Sequence, residues 1–373
     1  MHILITVNAA WNLVNFRRGL IAALLHDGHR VTVLAPSDEA LGKLREMGCD
    51  TVALEMDRKG MSPLRDAMLA LRFARHFRAL RPDAVLSYTI KNNVFGAIAA
   101  RLTRVPFLPN VTGLGTAFLS GSRLQRLVER LYRVAFARVP VVFFQNVDDR
   151  DLFLRSGLVR SGQVRLLPGS GIDLEYFAPR PRPRSAGDGV TFLMIARVLR
   201  DKGVIEYAEA AAALRHDHPN ARFLLLGPMG SENRTAIDPD VVRAWQGSGV
   251  IDYLGVCDDV RPEIAAADCV VLPSYREGMP RSLLEAGAMA RPVVATDVPG
   301  CRHVVADGET GVLCRPRDAE SLRDAMARVI AMPPDAREAM GRAARARMEA
   351  VYGEAHVISA YRAALADIGG GGG

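Results

Sequence analysis

The chain has 373 residues, 49% of them hydrophobic, with a formal net charge of +7 and five cysteines. It is too long for one ordinary core and long enough for two α/β domains of about 150 to 200 residues each. No apolar run approaches the roughly 18 residues of a membrane span; Arg17 and Arg18 follow the first apolar stretch, where a signal peptide would place its cations before it; and Cys49, Cys257, Cys269, Cys301 and Cys314 show neither CxxC nor Cys/His spacing, which leaves out a zinc site and a disulfide framework.

His2–Val7 reads as a buried strand, and the amphipathic stretch Phe16–His26 as one helix closed by Gly28. Strands follow at Arg30–Ala35, Thr51–Leu54, Ala84–Ser87, Phe107–Pro109, Val141–Phe144 and Val164–Leu167, alternating with helical stretches at 38–46, 63–80, 92–103, 122–137 and 148–156. Such βα alternation predicts a parallel, doubly wound sheet.

This half is also the basic one. Residues 1–178 carry 24 Lys/Arg against 15 Asp/Glu, and between 58 and 138 only Asp66, Asp83 and Glu129 oppose 15 cations. That field suits an anionic partner. Arg123, Arg126, Arg130 and Arg133 recur beside Leu124, Leu127, Val128 and Leu131, a basic amphipathic helix, and residues 64–81 repeat the theme. Either helix alone reads as well as a core-packed helix with a solvated basic face. Two in one basic half point to docking on an anionic membrane surface. Nucleic acid is not expected, since no binding motif accompanies the charge.

Pro, Arg and Gly crowd together from Pro179 to Gly189 in the manner of a linker. A second series then supplies strands at Thr191–Ala196, Arg222–Leu226, Val250–Leu254, Cys269–Leu272, Val293–Ala295 and Val312–Cys314. A helical run ends near Val351, a last helix spans about 354–367, and glycines close the chain. The organisation expected is therefore α/β, two Rossmann-like doubly wound domains over 1–178 and 179–352, a helix over 353–368 and a glycine tail over 369–373. Two such domains facing across a cleft would place a ligand at the carboxyl ends of both sheets.

Two segments of the second half carry candidate chemistry. In Leu272–Glu285, Glu277 and Glu285 stand eight residues apart across a strand end, loop and helix start. Pro280 suits the first helical position, Gly278 permits close backbone approach, and the free amides of Arg281 and Ser282 can face a diphosphate at the positive end of the helix. Two acceptor-only carboxylates at different depths suit two sets of hydroxyls. Each glutamate alone reads equally as an ordinary loop or helix residue. In Thr191–Gly203, Arg197 and Lys202 follow a buried strand directly, which places a guanidinium and an ammonium at the sheet's carboxyl edge, where they can neutralise a diphosphate leaving group. A solvated turn with two surface charges is the other reading of that segment.

Arg197-x4-Lys202 with Glu277-x7-Glu285 resembles the signature of family 4 retaining glycosyltransferases of GT-B fold. Ser87–Gly96 and Val111–Gly115 are similar to segments of the bacterial branch that builds capsules, O-antigens and undecaprenyl-diphosphate-linked oligosaccharides, including the GalNAc transferases of N-glycosylation. The resemblance implies that Arg197 and Lys202 bind the donor diphosphate, Glu277 the transferred sugar and Glu285 the ribose. Gly278, Met279, Arg281 and Ser282 would complete the donor site, with Val256 at the base. It further implies a UDP-sugar donor, a lipid-linked saccharide acceptor, transfer without metal or other cofactor, work at the cytoplasmic face of the inner membrane, and a last helix that crosses back to the first domain.

Two departures stand out. The first loop, Asn8–Arg17, lacks the paired glycines many relatives place near the donor phosphates, and no histidine occurs between 87 and 115, so no histidine base is assigned. Asn15, Arg17, Lys91 and Thr112 take the place of acceptor or phosphate contacts, each equally open to a structural role. A nucleotide-sugar epimerase or phosphorylase, or a non-catalytic nucleotide-sugar-binding protein, are the competing classes.

Overall fold

A computed structural model describes residues 1–57, 62–114, 123–183, 189–230 and 233–370. The chain forms two compact units, Met1–Gly171 with Glu354–Gly373, and Ile172–Gly353.

The first unit runs β1 (His2–Thr6), α1 (Trp11–Phe16), α2 (Arg18–His26), β2 (Arg30–Ala35), α3 (Ala40–Glu46), β3 (Asp50–Ala53), α4 (Pro63–Leu80), β4 (Ala84–Tyr88), α5 (Ile90–Thr103), β5 (Phe107–Val111), α6 (Arg123–Phe136), β6 (Val142–Phe144), α7 (Val147–Arg155) and β7 (Val164–Leu166). Its strands form one sheet in the order β3-β2-β1-β4-β5-β6-β7, with every pairing parallel. Strands buried on both faces explain the near-continuous apolar runs of the sequence.

The helix read over Phe16–His26 starts at Arg18, and a short helix not read from the sequence, α1, precedes it. Between them lies Arg17, whose backbone (φ −137°, ψ 11°) is outside the helical region. The break coincides with burial of the Arg17 side chain over the Tyr88 ring, 4.7 Å from its centroid.

The second unit begins ahead of the boundary read from the sequence. Ile172 and Phe177 are buried in its core. The stretch read as a linker is tied to the same unit, since Arg182 pairs with Asp268 at 3.0 Å; residues 184–188 lie outside the described residues. The elements continue with β8 (Thr191–Ile195), α8 (Val204–Asp217), β9 (Arg222–Leu226), α9 (Pro239–Gly247), β10 (Asp252–Gly255), α10 (Arg261–Ala266), β11 (Cys269–Leu272), α11 (Arg281–Ala288), β12 (Val293–Thr296), α12 (Cys301–Val304), β13 (Gly311–Cys314), α13 (Ala319–Ala331) and α14 (Pro334–Arg347). This parallel sheet has the order β10-β9-β8-β11-β12-β13.

The last helix, α15 (Glu354–Gly370), belongs to the first unit. Val357, Tyr361, Ala364 and Leu365 are buried in the core formed with β1, β2 and α2. The Tyr361 ring lies 4.5 Å from that of Phe143, and its hydroxyl accepts from the Asn110 amide at 2.9 Å. The glycines at 371–373 lie outside the described residues.

Tyr361→Phe keeps the ring and strands the buried Asn110 donor, so it should destabilise the first unit by about 1–3 kcal/mol. A lowered urea midpoint is the expected result, and an unchanged midpoint would refute that role for the hydroxyl.

Candidate functional site

In the second sheet β8 has β9 on one side and β11 on the other, so the chain leaves β8 and β11 in opposite directions. The crevice at their carboxyl ends is where an open α/β sheet accepts ligands. Both candidate segments lie there. Close backbone contacts, each possible only at glycine, bring them together. Gly203 has φ +75°, and a Cβ there would stand 2.1 Å from the Pro273 carbonyl oxygen. Gly227, after β9, would clash in the same way with the Ala196 carbonyl. The Ser274 hydroxyl and Tyr275 amide both donate to the Asp201 carbonyl, at 3.1 and 3.0 Å.

These contacts set Lys202, in the turn Arg200–Lys202, beside Glu277, with Nζ 2.5 Å from Oε1. The pair is largely sheltered, at 22% and 13% side-chain exposure, which strengthens its attraction relative to a surface pair. Gly300 backs onto the Glu277 main chain, leaving no room for a side chain at 300. Arg197, just past β8, is exposed, and its guanidinium has no hydrogen bond or ion pair among the described residues.

Pro280 takes the position before the helix (ψ 117°), one residue earlier than the sequence pattern placed it, and α11 starts at Arg281. Glu285 accepts from Arg281 Nε at 3.0 Å across one helical turn, with its side chain only 12% exposed. Burial raises the Glu285 carboxyl above the usual range, and Arg281 opposes that shift. The Arg281 side chain is therefore a partner of Glu285, beyond the backbone role read from the sequence. Ser282 is buried, Gly278 is half-buried, and Met279 packs on the core below. Val256 is exposed just beyond Gly255, whose carbonyl accepts from the Gly227 amide at 2.8 Å. It thus lies on the same sheet edge.

The first sheet reverses order between β1 and β4, and Arg17 lies against that point. It is 5% exposed, with Nη1 donating to the Phe16 carbonyl at 3.0 Å and Nε buried without a hydrogen bond. No carboxylate pairs with it among the described residues. Burial drives the Tyr88 and Tyr361 hydroxyls upward, while the Arg17 charge pulls both down. Lys91 is engaged by Asp66 at 2.9 Å. Asn15 is exposed and donates back to Trp11 in its own helix at 2.8 Å. Thr112, half-buried, follows β5. Sequence reasoning missed Thr89, between β4 and α5, whose backbone (φ 73°, ψ 151°) is a conformation almost reserved for glycine. Its hydroxyl donates to Asn92, whose amide donates to Thr6. No pattern of residue types announces a strained threonine.

Of the two basic helices, α4 has the clearer outward apolar stripe. Leu64, Met68 and Leu71 are 80%, 51% and 67% exposed, opposite a core face of Leu69, Phe73 and Phe77. In α6, Arg126 and Arg130 are exposed, whereas Arg133 donates to the Ser156 and Gly157 carbonyls at the end of α7. The Arg123 and Leu124 side chains lie outside the described residues.

Residues 14–170 match the family model described as a glycosyl transferase 4-like domain, and residues 189–332 the one described as glycosyl transferases group 1. The chain belongs to the glycosyltransferases. It is 27% identical over 332 residues to an N,N'-diacetylbacillosaminyl-diphospho-undecaprenol α-1,3-N-acetylgalactosaminyltransferase of Campylobacter jejuni, covering 85% of this chain and 86% of the relative. It is 25% identical over 284 residues to a UDP-Gal:α-D-GlcNAc-diphosphoundecaprenol α-1,3-galactosyltransferase of Escherichia coli, covering 73% and 72%. Anabaena HepE, solved in complex with UDP-glucose, superimposes with a TM-score of 0.80 at 18% identity over 98% of this chain and all of that one. This glycosyltransferase has the GT-B fold.

Gly203→Ala forces an alanine into the left-handed region and against the Pro273 carbonyl, at a cost of roughly 1–3 kcal/mol. Transfer should fall by more than stability accounts for, because Lys202 moves with Gly203. Full activity in a folded variant would show that this contact does not hold the site.

Proposed function

We propose that this glycosyltransferase moves a hexose or N-acetylhexosamine, GalNAc foremost, from a UDP-sugar to an undecaprenyl-diphosphate-linked saccharide with retention at the anomeric carbon. The observation that carries the reading is the grouping of Arg197, the Lys202–Glu277 pair and Glu285 at one sheet edge. Cations suit the diphosphate and carboxylates the hydroxyls. The acceptor class is supported by the names of the two bacterial relatives.

The acceptor hydroxyl oxygen attacks the anomeric carbon from the face the diphosphate leaves. The bond to the β-phosphate oxygen breaks with its electrons passing to that oxygen, which takes the hydroxyl proton. Arg197 and Lys202 offset the charge growing on the leaving group, so the step is proposed to need no metal. Glu277 contacts the moving sugar and steadies Lys202, while Glu285 accepts from the ribose, with Gly278, Met279, Arg281, Ser282 and Val256 around the nucleotide. Asn15, Arg17, Lys91 and Thr112 are proposed on the acceptor side, and the cytoplasmic face of the inner membrane as the place of work.

Screening UDP-sugars against undecaprenyl-diphosphate-linked mono- and disaccharides, with products read by mass spectrometry, tests the reading. An epimerase would alter the sugar without acceptor, and a binding protein would turn nothing over. Either outcome overturns the proposal.

Glu277→Gln should cripple transfer while sparing UDP binding, and Glu285→Gln should weaken UDP binding. Because the Glu285 pKa is raised, UDP affinity should fall as pH drops into that raised range and the carboxylate takes up a proton. Glu285→Gln should abolish this dependence, as followed by calorimetry. Equal UDP affinity in wild type and Glu285→Gln would remove the ribose assignment.

The α4 stripe supports reversible docking on anionic membranes, where apolar side chains enter the interface beside arginines. Replacing Leu64, Met68 and Leu71 together with glutamine should sharply reduce co-sedimentation with anionic vesicles and leave UDP binding intact. Binding should also weaken with salt, since headgroup attraction is screened over about 8 to 10 Å at physiological strength. Equal sedimentation of variant and wild type would refute α4 as the docking face.

A further inference from the structure

The two sheet edges already discussed are the carboxyl ones; the first unit also carries a cavity of about 590 Å³ at the opposite, amino edge of its sheet. It opens between the carboxyl-terminal ends of α5 and α6 and the starts of β5 and β6. Arg101, Arg104, Arg138 and Arg165 line it, against a single carboxylate, Asp367. The remaining wall is mostly apolar, with Ala100, Phe107, Ala135 and Val139 among its residues.

Arginines at helix carboxyl ends have an ordinary role, which is to meet the last carbonyls and the negative end of the helix dipole. That role does not account for this set. The guanidiniums of Arg101, Arg104 and Arg138 make no hydrogen bond or ion pair among the described residues, and all three are exposed. Arg165 alone is satisfied locally, donating to the Val164 carbonyl at 3.0 Å. Four like charges converge on one cavity and lack the carboxylates that would offset their repulsion. An anion of more than one charge or several acceptor oxygens completes such a site, and arginine forks match phosphate oxygens.

The cavity's surroundings select among phosphates. Leu102, Val134 and Leu166, each next in sequence to a residue of the cavity wall, are exposed large apolar side chains. A free phosphate has no use for an apolar wall and apolar neighbours. An amphiphile has use for both. We propose that this cavity seats the headgroup of an anionic phospholipid, with the phosphate held by Arg101, Arg104 and Arg138 and the first carbons of an acyl chain lying along the alanine-lined wall. The proposal deepens the membrane reading above by adding a headgroup site at the amino edge of the first sheet, and it rests on contact of the first unit with lipid.

A soluble short-chain lipid separates the two. Dihexanoyl phosphatidylglycerol, kept below its micelle concentration, is titrated into the full chain by calorimetry, with the triple variant R101Q/R104Q/R138Q and the α4 variant L64Q/M68Q/L71Q alongside. Wild type and the α4 variant should bind alike. The triple variant should lose about a hundredfold in affinity, from roughly a factor of five per arginine near an anionic headgroup, while UDP affinity and the melting temperature stay at the wild-type values. Dihexanoyl phosphatidylcholine should bind no better to wild type than to the triple variant. Failure of wild type to bind the anionic lipid, or equal binding by the triple variant, overturns the headgroup site whatever α4 does with vesicles. Displacement of the lipid by inorganic phosphate at equal concentration would also overturn it, in favour of a free-phosphate site. Should the triple variant melt early, R138Q alone serves, with the same lipid titration and an expected loss of about fivefold.

Discussion

A carbonyl oxygen at Pro273 and an absent side chain at residue 203 set the terms for the second unit of this glycosyltransferase. Parallel strands deliver their loops to one edge, but delivery is not contact. The loop after β8 reaches the loop after β11 only because glycine tolerates both the left-handed backbone and the close approach at that position. From that contact follow the anchoring of Asp201 by Ser274 and Tyr275 and the meeting of Lys202 with Glu277. Around it the site is charge-balanced in pairs, Lys202 with Glu277 and Arg281 with Glu285. Arg197, exposed, has no ion pair among the described residues.

The first unit handles charge differently. Arg17 is nearly buried with no carboxylate pairing with it among the described residues, held by the Tyr88 ring and one carbonyl. Aromatic faces and carbonyl dipoles can hold a guanidinium out of water, but less completely than a carboxylate does. With Thr89 strained at the end of the neighbouring strand, this reversal point concentrates unrelieved energy. Strain and buried charge of that kind persist where the surrounding fold over-determines them.

Much of the architecture was legible in residue order. Apolar runs broken by glycine and proline located the strands of both sheets, and their alternation with helical periodicity made the sheets parallel. The departures have local causes. The helix read over Phe16–His26 includes Arg17 because that residue is polar and falls on a plausible helical face; only the fold reveals that it turns inward and ends α1. Residues 172–177 look like the tail of the first domain, yet Ile172 and Phe177 fill the second core, a choice set by tertiary packing. In the second unit spacing singled out four charged residues, Arg197, Lys202, Glu277 and Glu285, which the fold places at one sheet edge. Spacing could not show that Lys202 and Glu277 touch, because their loops meet through glycines at 203 and 300 whose partners lie far away in sequence.

The return of α15 to the first unit has a consequence for the order in which the polypeptide is made. The sheet of that unit is complete once β7 emerges, but Tyr361, against Phe143 and Asn110, is translated only after the whole second unit. At typical elongation rates of about 5–20 residues per second, the first core waits on the order of ten seconds or more with one flank open. The second unit is completed at Gly353, immediately before α15 is made. The nascent chain therefore passes through a stage in which the second unit has all of its residues while the first core still lacks its last helix.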